Sequence, residues 1–171
     1  MFVDESKSGD YLLIATAVEP ARLATVRKVI RGLVLPGQRR LHMKSESNPR
    51  RRQILSALCE EGEKATIYRA GSAYKSDIQR RRACLSSMVA DIARAGHPKV
   101  CLESDETMDE RDRRDLACLI KEHACPDLLY LHERAAQEPL LAVSDAIGWA
   151  WARGGDWRRR ASPLVESVTD V

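Results

Sequence analysis

The chain has 171 residues, of which 44% are hydrophobic and 31% charged, and its formal net charge is +3. This length suits a single domain with one core. The five cysteines are odd in number and form no C-x-x-C pair, which argues against a disulfide framework. With no signal-peptide pattern and no apolar run long enough to cross a bilayer, we expect a cytoplasmic protein without a membrane partner.

The first half of the chain predicts three strands and two helices. The strands cover residues 1–3, 11–18 and 65–68, and a Ser/Gly turn joins the first two as an antiparallel hairpin. A helix opens at Pro20 and stops before Pro36, and a second helix begins at Asn48 and ends at Gly62. The segment 39–44 between them is expected to be extended.

The second half alternates helices and strands. Helices are predicted over residues 77–95, 108–123 and 139–152, and strands over 99–103 and 128–132. Such alternation favours parallel pairing. The sequence therefore predicts an α/β fold with a mixed five-stranded sheet flanked by helices, formed by residues 1–153. Residues 154–171 are expected to be a basic, partly flexible tail.

Arginines occur in clusters. Arg is the preferred bidentate partner of phosphate, so the clusters are candidate contacts to nucleic acid, with Arg50 and Arg51 as the substrate-binding candidates. Solvated helix faces explain such runs equally well. The clusters are Arg39–Arg40, Arg50–Arg51–Arg52, Arg80–Arg81–Arg82 and Arg158–Arg159–Arg160.

Acidic residues follow two predicted strands and interrupt one apolar helix. Asp4 and Glu5 end the first strand, Glu103 ends the fourth and Asp105 follows it, and Asp145 lies in the last helix. A carboxylate in an apolar helix is costly to bury without a partner, which a metal ion or an Arg would supply. Oxygen-rich pockets bind Mg²⁺ and Mn²⁺. Turn capping by Asp4 and a helix-flanking role for Asp105 are the plainer alternatives.

The order of these motifs resembles the prokaryotic "domain of unknown function 3800" family, whose members look like RNase H-fold proteins. The matching segments are Phe2-Val3-Asp4-Glu5-Ser6, Leu41-His42-Met43-Lys44, Val100-Cys101-Leu102-Glu103 and Val143-Ser144-Asp145-Ala146-Ile147. The resemblance covers about residues 1–153.

This resemblance implies an RNase H-like site. Asp4, Glu103 and Asp145 would bind Mg²⁺ or Mn²⁺, and Glu5 or Asp105 would be a further acid. His42 would shuttle a proton and Lys44 would contact a phosphate, although a lone His is more often structural.

The leading hypothesis is a metal-dependent nuclease acting on RNA, DNA or a hybrid. Alternatives are a catalytically inactive nucleic-acid-binding module and a protein-interaction domain that uses Trp149, Trp151 and Trp157. The oligomeric state is open.

Overall fold

The computed structural model describes residues 1–171 and contains one mixed sheet between two layers of helices. The strands are β1 (Phe2–Ser6), β2 (Tyr11–Ala17), β3 (Lys64–Ala70), β4 (Lys99–Glu103), β5 (Leu129–Glu133) and β6 (Val165–Asp170). The helices are α1 (Leu23–Leu33), α2 (Asn48–Glu61), α3 (Asp77–Ala95), α4 (Asp109–Glu122), α5 (Leu141–Arg153) and α6 (Gly155–Ala161). Short 3₁₀ turns cover Pro20–Arg22, Met43–Ser45 and Ser162–Leu164. None of the helices combines the length and apolar character needed to cross a bilayer.

The strand order is β5-β4-β1-β2-β3-β6. β1 and β2 form the predicted antiparallel hairpin, turned at Gly9 with φ +91°, a conformation that favours glycine. β1 also pairs in parallel with β4, and β4 with β5. The carboxyl ends of β1, β4 and β5 therefore lie side by side at one end of the strands, and Asp4, Glu5 and Glu103 are found there.

The C-terminal residues differ from the prediction. Residues 154–171 are not a flexible tail: they form α6 and then β6, which pairs in parallel with β3 and gives the sheet six strands rather than five. Ala161 and Leu164 are buried in the core and attach this segment to the domain. β6 is an edge strand with mostly exposed residues, so it lacks the apolar pattern of a central strand.

Alternate residues of the strands face two separate cores, as the period of two in a strand requires. On one face, Leu12 and Ile14 pack with α1, α2 and α5. On the other face, Leu13 and Tyr68 pack with α3 and α4. The segment 39–44 is not an extended strand: its last residues enter the 3₁₀ turn Met43–Ser45, which rests beside α5.

Candidate functional site

A groove of about 1220 Å³ opens where β1 and β4 end. Its wall comes from these strand ends, from the chain around the 3₁₀ turn Met43–Ser45, and from one face of α5. Nearly all of the lining residues are polar or charged. Small-molecule sites are mostly apolar, so the composition of this groove favours a charged, hydrated ligand.

Asp4 lies at the floor of the groove. The parallel register pairs Val3 with Leu102, and continuing it by one residue brings Asp4 beside Glu103. The Asp4 side chain accepts a hydrogen bond from the backbone N–H of Glu5 at 2.7 Å. Burial, followed by the negative charges of Glu103 and Asp145, raises the pKa of Asp4 well above its ordinary value. Glu103 and Asp145 are thus both close enough to repel Asp4.

The position of Asp145 depends on the close approach of α5 to the sheet. A Cβ atom at Gly148 would lie 2.6 Å from Ile14 Cδ1, so a larger residue would fit only if the buried Ile14 side chain moved. The Ser144 hydroxyl donates to the carbonyl of Phe2 at 2.9 Å and accepts from the Thr16 hydroxyl at 2.8 Å. These contacts bring the following residue, Asp145, over the end of β1.

The Asp145 carboxylate is held by the 3₁₀ turn. One oxygen accepts from the backbone N–H of Met43 at 2.8 Å, and the other lies 3.4 Å from His42 Nδ1. The hydrogen bond with Asp145 raises the pKa of His42 despite partial burial of the ring. The structure therefore brings His42 into the same site as Asp4, Glu103 and Asp145.

Arg40 is a site residue that the sequence indicated only as a member of an Arg cluster, without its acidic partner. Its guanidinium forms an ion pair with the Glu103 carboxylate at the groove wall. The only hint in the sequence was its place in an Arg pair two residues before His42. Glu103 consequently has a cationic partner within the chain.

Glu5 is directed away from the three clustered acids. Its carboxylate pairs with Arg81 and lies 2.9 Å from Lys7 Nζ. Arg81 is almost fully buried and makes two further hydrogen bonds to Asp112, at 2.7 and 2.6 Å, and one to the Tyr11 hydroxyl. Glu5 thus belongs to a buried charge network between β1, α3 and α4.

Asp105 forms a local turn at the rim of the groove. Its Oδ1 accepts from the backbone N–H of Thr107 at 2.9 Å and from the Thr107 hydroxyl at 2.6 Å. These hydrogen bonds hold the pKa of Asp105 below its ordinary value. These contacts agree with the plainer alternative, in which Asp105 flanks the start of a helix, because α4 begins at Asp109.

The three cationic candidates have different surroundings. Lys44 is exposed in the groove and its ammonium makes no ion pair within the chain. Arg50 does not line the groove: it donates to the carbonyl of Leu33 and to Gln53 Oε1. Arg51 lines the groove, but its donors are directed to the carbonyls of Met43 and Lys44 and to Asn48 Oδ1.

The donor set fits a hard divalent cation. Asp4, Glu103 and Asp145 supply carboxylate oxygens, and the pKa of Asp4 is raised by burial and then by the two neighbouring negative charges, which a cation would offset. In the present arrangement no group of three or more His, Cys, Asp or Glu side chains is positioned as a ready-made ligand shell. Glu103 is turned to Arg40, and Asp145 to His42 and Met43.

Neither a protein-family model nor a curated protein matches the chain. Among solved structures, the chain is similar to one chain of the structure described as the PCNA:RNase HII complex from Archaeoglobus fulgidus. The TM-score is 0.58 at 15% identity, and the match covers 87% of this chain and 70% of the other. This likeness fits an RNase H-like fold.

Proposed function

We propose that the groove is the active site of a metal-dependent nuclease, which hydrolyses phosphodiester bonds in RNA, DNA or a hybrid with Mg²⁺ or Mn²⁺. The observation that carries the proposal is the convergence of Glu103 and Asp145 on the partly buried Asp4 at the carboxyl ends of β1 and β4. The RNase H-like fold and the motif order of the "domain of unknown function 3800" family support it, and we propose membership of that family.

Asp4, Glu103 and Asp145 are the proposed metal ligands. A cation bound there would activate a water molecule and stabilise the leaving oxygen of a phosphodiester. Arg40 contacts one oxygen of Glu103, which leaves the other oxygen for a cation; a cation that displaced the guanidinium would free it to contact the substrate phosphate. Asp145 can offer an oxygen while Met43 N–H fixes the orientation of its carboxylate.

His42 is suited to proton transfer. Its Nδ1 faces Asp145, and its Nε2 makes no hydrogen bond within the chain. The raised pKa increases the fraction of imidazolium near neutral pH, which favours donation of a proton to a leaving oxygen. Lys44, whose ammonium is unpaired, would contact a phosphate as a point charge.

Incubation of end-labelled RNA, DNA and hybrid strands with Mg²⁺ or Mn²⁺ tests this proposal. We expect cleavage of at least one substrate by the wild-type protein and no cleavage in EDTA. Asp4→Asn and Asp145→Asn should lower the rate by about a hundredfold or more, since outer-sphere partners alone account for about 10–100-fold. Asp127→Asn, the same change at an exposed aspartate, is the matched control. Equal cleavage by Asp4→Asn and the control would refute the proposed site.

A non-catalytic nucleic-acid-binding protein is the second candidate. The Arg40–Glu103 ion pair favours it, since an Arg can neutralise the acidic cluster without a metal. This candidate predicts binding that persists in EDTA, weakens steeply with salt and yields no product with either metal. Mn²⁺ should then fail to raise the melting temperature of the protein.

A further inference from the structure

We infer that Arg51 and Trp149 form a stacking platform for an unpaired base of a nucleic-acid strand in the groove. The Arg51 Cζ atom lies 4.4 Å from the centroid of the Trp149 ring. Both residues line the groove that contains the acidic cluster. The inference rests on the proposed function and specifies its substrate as a strand that is single-stranded at this point.

The hydrogen bonds of Arg51 fix the plane of its guanidinium. Nε donates to the carbonyl of Met43 at 2.9 Å, Nη2 to the carbonyl of Lys44 at 3.0 Å, and Nη1 to Asn48 Oδ1 at 2.8 Å. Because every nitrogen of the guanidinium is engaged, Arg51 is poorly suited to bidentate phosphate binding. The flat face opposite Trp149 remains for contact, and Arg guanidinium planes are established partners for unstacked bases.

Trp149 is itself held in place. The Trp157 ring approaches it edge-on, with centroids 5.2 Å apart and an interplanar angle of 73°. A platform whose two layers are already ordered loses little conformational entropy when a base is added. Stacking on such a surface tolerates different bases, because each base has a π-face.

The face of α5 continues the platform in both directions. Asp145, Trp149 and Arg153 are four residues apart, so they lie on one side of the helix and line the groove. The helical rise places successive members about 6 Å apart along the axis. Arg153 is exposed and makes no ion pair, which leaves it available to a phosphate beyond the stacked base.

Charge complementarity supports a nucleic-acid strand as the occupant. The groove has two unpaired cations, Lys44 and Arg153, whereas Lys7 and Arg40 are neutralised by Glu5 and Glu103. A backbone that passes Lys44 and Arg153 would meet free positive charge there. Bases in a duplex are stacked on one another and do not offer a face to a side chain, so the platform selects unpaired nucleotides.

The experiment is a binding titration in EDTA, where no cleavage occurs. Fluorescently labelled oligoadenylate, as DNA and as RNA, is compared with an abasic strand of equal length and charge and with a duplex. For the wild-type protein we expect the single strand to bind at least about fivefold more tightly than the abasic strand, the lower range for stacking of one base. The DNA and RNA arms show which sugar the groove accepts.

Arg51→Lys keeps the charge and removes the flat surface, so it should bring single-strand affinity down to that of the abasic strand. Arg158→Lys is the matched control, because Arg158 stacks on Trp151, 5.1 Å from its centroid, outside the groove. Equal wild-type affinity for base-bearing and abasic strands would overturn the inference, whether or not Arg51→Lys folds. Equal losses in the two variants would also overturn it. Absence of cleavage with Mn²⁺ alongside base-dependent binding would refute only the nuclease proposal.

Discussion

Asp4→Asn is expected to stabilise the metal-free protein. The amide keeps the size of the side chain and an oxygen that accepts the Glu5 N–H, while it removes the repulsion from Glu103 and Asp145. Each pKa unit between the folded and unfolded states corresponds to about 1.4 kcal/mol. We expect Asp4→Asn to increase the free energy of unfolding at pH 7 by about 0.5–2 kcal/mol, the usual gain from relieving one unfavourable interaction.

The pH dependence follows from the direction of the pKa change. Between the ordinary value of 3.8 and the raised pKa of Asp4, the folded protein binds more protons than the unfolded chain. This group therefore makes stability fall as pH rises through that window. The difference in unfolding free energy between Asp4→Asn and wild type should grow with pH across the same window, and Asp127→Asn should show no such growth.

Bound metal should make the wild-type protein more stable than Asp4→Asn. A cation that binds only the folded state, at a concentration a hundred times its dissociation constant, adds about 2.7 kcal/mol. Urea unfolding in EDTA and in Mn²⁺ measures both effects. A metal-free Asp4→Asn protein that is less stable than wild type would contradict the repulsion at Asp4, and equal stabilisation of both proteins by Mn²⁺ would contradict its role as a metal ligand.

Three further outcomes test the fold. Asp112→Asn should cost about 1.5–3 kcal/mol in urea unfolding, because the buried Arg81 loses its charged bidentate partner while Glu5 still pairs with it. Burial favours a higher pKa for Asp112, but hydrogen bonds from His132 and Arg81 hold the pKa low, so this stabilisation is lost as pH falls through that lowered pKa. Gly148→Ala should cost about 1–3 kcal/mol by overpacking, whereas Gly32→Ala, which has open space, should be neutral or stabilising. Removal of residues 154–171 should abolish cooperative thermal unfolding, and a retained sharp transition would contradict the integration of this segment into the sheet.

Local patterns were sufficient to predict most of the architecture. The β1–β2 hairpin and the parallel β4–β5 pair follow from apolar runs and the helices between them. β6 was missed because residues 165–170 are mainly polar, as an exposed edge strand allows, and lie directly after an Arg-rich segment. Its pairing with β3 joins residues about 100 positions apart, which no local pattern indicates.

The part of the candidate site that could be predicted is the part whose residues are positioned by the ends of strands. Asp4 and Glu103 meet because parallel strands share one edge, and Asp145 was identified from its cost in an apolar helix. The basic side chains that pair with these acids could not be predicted in the same way. The contact between Glu5 and Arg81 spans 76 residues, and nothing near either residue indicates it.

The contacts of Arg51 could not be predicted from the sequence either. Its place in an Arg triplet predicted phosphate contact, but three hydrogen bonds to residues 43–48 occupy its donors. A sequence gives the charge of a side chain and not the acceptors that fold around it. Asp105 is the opposite case, because its Asx turn with Thr107 could be predicted from the local sequence.

The place of β1 between β2 and β4 affects when the groove can form during synthesis. β2 follows β1 within a few residues, but β4 is made almost 100 residues later, and α5 later still. Until then the second edge of β1 has no partner, and unpaired strand edges attract other chains. A nascent chain would therefore carry the Asp4 end of β1 without Glu103 or Asp145, and the acidic cluster is completed only after most of the domain has left the ribosome.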